Sequence, residues 1–66
     1  MHTVDQEDYA VVIKRRAEPP LPWKWEIYQA GKRLPIDRSS DFFATMVMAH
    51  AAGKKALTQL IGRLSA

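Results

Sequence analysis

The stretch from residue 23 to residue 36, WKWEIYQAGKRLPI, constrains this chain more than any other part of it. Trp23, Trp25 and Ile27 fall at every second position, with Lys24, Glu26 and Tyr28 between them. A strand, whose successive side chains point to opposite sides, sorts such a run into one apolar and one polar face. Gly31, in QAGK, stands where a tight turn asks for a positive φ, and beyond it Leu34 and Ile36 alternate against Arg33 and Asp37. These features predict a hairpin from Trp23 to about Arg38. Pro35 has no amide proton to give, so its strand is expected at a sheet edge, or with the proline turned to the unpaired side.

Upstream, Tyr9, Val11 and Ile13 alternate with Ala10, Val12 and Lys14 in a run rich in β-branched residues, the pattern of another strand. AEPPLP, residues 17 to 22, ends it, because its three prolines cannot donate to a ladder. Residues 1 to 8 have no periodicity and carry Asp5, Glu7 and Asp8; they read as a flexible acidic arm.

From Thr45 onward there is no proline, and the period changes. Ala49, Ala52, Ala56, Leu60 and Leu64 recur at three- and four-residue spacing, widened by Gly53, Leu57 and Ile61; His50, Lys54, Lys55, Gln59 and Arg63 take the other side. This is an amphipathic helix. Of two N-cap candidates, Thr45 is preferred to SSD at residues 39 to 41, which leaves DFFA to deliver Phe42 or Phe43 into the core. A glycine inside a helix costs about 1 kcal/mol against alanine, so Gly53 implies a steric reason. Packing Ala49, Ala52, Gly53 and Ala56 across Trp23, Trp25 and Ile27 supplies one, with Leu57, Leu60, Ile61 and Leu64 filling in beside smaller sheet residues. The expected fold is α+β: a three-stranded antiparallel β-meander packed on one C-terminal α-helix (β-β-β-α), as a single domain over residues 9 to 66 after the arm at 1 to 8.

With 66 residues and no cysteine, the chain must hold together by packing, helped by dimerisation, rather than by a disulfide. His2 and His50 have no cluster of carboxylates around them, so no metal site is expected. No pair of groups is set for acid–base or nucleophilic work, and Gly31, Gly53 and Gly62 stand alone rather than in a phosphate loop. The chain is therefore expected not to be an enzyme, and no cofactor or small molecule is implied. No apolar run approaches the roughly 20 residues of a membrane span, and the first residues lack the pattern of a signal peptide, so a cytoplasmic location is expected. RAEPPLP, residues 16 to 22, matches R-x-x-P-x-x-P through Arg16, Pro19 and Pro22, but prolines stiffening a connection between two strands account for it.

A net charge of +3 understates how basic the body of the chain is, because the arm is acidic. Lys14, Arg16, Lys24, Tyr28 and Arg33 are expected on the sheet face away from the helix, and form the candidate interaction face. Two functional readings follow. In the leading one the protein is a non-enzymatic interaction module that homodimerises, or binds a protein partner, through its open sheet face or an edge strand. In the competing one the basic face binds RNA or single-stranded DNA.

The register W-x-W-x-I-Y-x-x-G-K, followed by FFAT and AHAAGKKAL, resembles a group of short, uncharacterised, chiefly alphaproteobacterial proteins with a helix containing A-x-x-A-G-x-x-A-L. Those helix positions are Ala49, Ala52, Gly53, Ala56 and Leu57 here. More distantly the chain resembles the YegP-like, HicB-like and double-stranded-RNA-binding-like α+β folds, in which a β-meander packs on a helix. The YegP-like resemblance implies a two-copy unit, with a dimer standing in for the second copy. The HicB-like one implies an antitoxin-like role.

Overall fold

The computed structural model describes residues 8–65. Except for Asp8, the arm expected at residues 1 to 8 lies outside them. Strand β1 (Tyr9–Arg15) pairs antiparallel with β2 (Trp23–Gln29), and β2 pairs antiparallel with β3 (Asp37–Arg38), so β2 is the central strand. Helix α1 (Met46–Ser65) follows and packs on one face.

The period-two pattern sets which residues meet. Val11 lies opposite Ile27 and Ile13 opposite Trp25, and opposed residues of an antiparallel pair share a face. That face is the core: Trp25, Ile27 and Leu57 at its centre, with Tyr9, Val11, Ile13, Phe43, Ala52, Ala56, Leu60 and Ile61 packed around them. Trp23, at the start of β2, is only half-buried. The β1–β2 connection is drawn in by the Arg16 N–H, which donates to the Pro22 carbonyl at 2.9 Å; Pro22 is buried and the Pro19–Pro20 bond is cis. The Arg16–Pro22 hydrogen bond ties the two ends of the R-x-x-P-x-x-P segment together, so it is folded into the hairpin rather than extended.

Gly53 explains how the helix sits. A β-carbon added there would come within 2.6 Å of Val11 Cγ1 and 2.9 Å of Trp25 Cβ, so the helix backbone lies directly on both strands. Thr45 caps the helix: its Oγ1 accepts from the Met48 N–H at 3.1 Å.

The second hairpin departs from expectation. Gly31 has φ of 81°, and the Lys32 N–H closes a turn on the Gln29 carbonyl at 3.0 Å, as the sequence predicts. The chain then leaves the sheet and rejoins only when the Ile36 N–H reaches the Ile27 carbonyl at 2.8 Å. Because Asp37 lies opposite Ile27, Leu34 falls past the end of β2, which stops at Gln29. Leu34 is accordingly 76% exposed and Ile36 42% exposed, rather than core. Pairing resumes after β3, where Trp23 and Phe43 exchange backbone hydrogen bonds at 3.1 and 2.6 Å.

Leu64 departs as well, at 51% exposed. Twenty helical residues span about 30 Å, whereas a seven-residue strand spans about 23 Å, so α1 overhangs the sheet.

Candidate interaction surfaces

Among the described residues, nothing covers the sheet face away from α1 or the outer edge of β1. The open face is built from the residues between the core positions. Lys14 lies opposite Lys24, Ala10 opposite Tyr28, and Val12 opposite Glu26, which in turn lies opposite Arg38. At the centre Glu26 is only 5% exposed. The Tyr28 hydroxyl donates to Glu26 Oε1 at 2.9 Å, and Arg16 Nε stands 3.9 Å from Glu26 Oε2. This one carboxylate is thus covered by a phenol and a guanidinium.

Like charges directly opposite each other on a sheet repel. Lys14 and Lys24 turn apart: Lys14 Nζ lies 5.8 Å from the Tyr28 ring centroid and Lys24 Nζ 5.3 Å from that of Phe42. Each ammonium thus sits over the negative face of a ring.

Of the five residues expected on this face, Lys14, Lys24 and Tyr28 are placed there by the ladder, and Arg16, just past β1, joins them through Glu26. Arg33 does not belong to the ladder; it is exposed in the connection between β2 and β3. The sequence reading missed Arg38 and Phe42. Phe43 shares the core face with Trp23, so its neighbour Phe42 must point the other way; once the pairing partner of Phe43 is known, alternation finds Phe42.

The edge of β1 follows from hydrogen-bond parity. Ala30 N–H donates to the Asp8 carbonyl at 2.8 Å and Arg16 N–H to the Pro22 carbonyl at 2.9 Å. The even-numbered residues of this segment therefore bond to β2, and Tyr9, Val11, Ile13 and Arg15 turn their N–H and C=O groups outward. Beside this edge, Ile13, Met46, Val47, His50, Ala51 and Lys54 line an open groove of about 530 Å³. Val47 is 78% exposed within it.

Among the described residues there is no group of three or more His, Cys, Asp or Glu side chains able to hold a metal, and no helix is long and apolar enough to cross a membrane. Comparison with models of known families, with curated proteins and with solved structures finds no match for this chain.

Proposed function

We propose that this protein is a non-enzymatic interaction module that acts through its open sheet face, and that the face takes single-stranded nucleic acid, RNA or DNA. A cytoplasmic location belongs to the same proposal. One observation carries it: among the described residues, four cations, Lys14, Arg16, Lys24 and Arg38, share the face with two rings, and the one carboxylate with them is buried under its own partners.

The chemistry of a single strand matches that arrangement. Its phosphates need cations, and its unpaired bases need flat rings to stack on. Tyr28 and Lys24, which covers Phe42, are four residues apart on β2, a distance of about 13 Å, so the rings would take bases that are not neighbours. As a base settles on each ring, the lysine over that ring is released towards the adjoining phosphate. A duplex offers no free base faces and would gain only the electrostatic part.

The test is anisotropy of a labelled single-stranded oligonucleotide. Four phosphate contacts on a single strand imply a slope of about −3 in log K against log salt, or about fifty-fold weaker binding at 200 mM than at 50 mM salt. Phe42→Ala should weaken binding about tenfold or more, by loss of one stacking platform, while leaving that slope in place. Lys24→Glu should reduce both affinity and slope. Unchanged affinity in Phe42→Ala, or equal competition by duplex or heparin, would leave a bare polyanion surface and sink the stacking proposal.

A further inference from the structure

We infer that the outer edge of β1 is the docking surface for a second copy of this chain, joined antiparallel about a two-fold axis at Val12 to make one continuous six-stranded sheet. The inference stands without the nucleic-acid reading: its register comes from the edge of β1 and its apolar area from the helix flank, and only its charge argument shares Lys14 and Arg16 with the open face.

The register comes from which backbone groups point outward. Tyr9, Val11, Ile13 and Arg15 present theirs, and an antiparallel copy uses all four only when Tyr9 meets the partner's Arg15 and Val11 meets the partner's Ile13. Two bonds for each of four pairs make about eight in all. A shift by two residues leaves at least one outward residue on each copy unmatched. Among the described residues nothing blocks this edge: the strand is seven residues long, with no proline and no bulge in its pairing with β2. β3, at the other edge, has two residues and follows Pro35.

Charge agrees with this direction. Lys14, Arg15 and Arg16 stand at the end of β1, while Asp8 stands at its start, after Asp5 and Glu7 in the sequence. Antiparallel pairing brings Asp8 opposite the partner's Arg16 and Lys14 opposite the partner's Ala10. A parallel pairing would set the two basic clusters side by side.

The helices supply the apolar part. A two-fold axis perpendicular to the sheet keeps both helices on the same face. Gly53 rests on Val11 of β1 and Trp25 of β2, so α1 straddles these strands about one strand spacing from the axis. The two helix axes then lie about 10 Å apart, within the range at which helices pack. Met46, Val47, His50 and Ala51, exposed along the groove above Ile13, form the flank that faces the partner. Met46 and Val47 are large apolar residues left 51% and 78% exposed in the monomer, and a second copy covers them.

The experiment combines mass with register. Sedimentation equilibrium of the wild-type chain at high micromolar concentration should give twice the 7.5 kDa monomer mass. Val47→Glu should give the monomer with an unchanged circular dichroism spectrum, since a carboxylate in the first turn suits the helix dipole. Register is read by cysteine, which the chain lacks. Val12→Cys faces its own copy across a non-hydrogen-bonded pair, about 4.5 Å between Cα atoms, and should cross-link under mild oxidation. Ala10→Cys faces the partner's Lys14 and should not. A monomeric wild type overturns the inference. So does a dimer that survives Val47→Glu, cross-linking of Ala10→Cys as readily as Val12→Cys, or an edge that pairs only with strands of other proteins.

Discussion

The two faces of β2 come from one seven-residue strand, yet they are held by different physics. Trp25 and Ile27 are covered by a helix whose approach is set by a missing side chain at Gly53, so this face depends on shape. Among the described residues, no layer lies above Lys24, Glu26 and Tyr28, which are covered instead by side chains of their own face: a phenol and a guanidinium over a carboxylate, an ammonium over a ring. The apolar face stabilises the fold by expelling water. The polar face adds less to stability, a hydrogen bond and a half-exposed ion pair, and its cations and rings stay partly exposed where a ligand can reach them.

This contrast is broken most severely at Gly53. Gly53→Leu drives side-chain atoms into Val11 and Trp25, and neither strand can retreat without opening the core. In a domain this small the expected result is loss of the cooperative thermal transition. A variant that melts like the wild type would show that the helix does not depend on that approach. On the other face, Glu26→Gln keeps an acceptor for the Tyr28 hydroxyl but removes the charge beside Arg16. Stability in urea should fall by about 1 kcal/mol, while oligonucleotide affinity rises because the face loses the negative charge of Glu26. A rise in stability would mean the carboxylate is a cost that the face carries for another reason. The smallest effect is expected at Leu64, which carries the apolar pattern of α1 beyond the sheet; Leu64→Ala should shift stability by less than about 0.5 kcal/mol. A loss as large as a buried leucine gives would place Leu64 in an interface.

The parts that could be read in advance were those decided by neighbours in the chain. Alternation in β1 and β2, the turn at Gly31, the cap at Thr45 and the small-residue stripe through Gly53 each rest on a few consecutive residues. The candidate face was legible to the same extent: Lys14, Lys24 and Tyr28 follow from strand parity alone. Arg33 was assigned by continuing the parity of a strand through residues that are not in it.

What remained was decided by register and length, which no local pattern contains. Pairing Asp37 with Ile27 shortened β3 to two residues, left Leu34 beyond the end of its partner and brought Arg38 opposite Glu26. The bridge from Trp23 to Phe43 chose which phenylalanine entered the core and which faced Lys24. The seven-residue strands under a twenty-residue helix decided that Leu64 would overhang while Leu57 was buried. By itself the sequence determined which residues alternate, where the chain turns and where its helix starts, because sterics and hydrogen bonding within a few residues suffice for that. Tertiary structure decided which alternating residues meet, because pairing between distant segments is chosen by what the whole core can bury.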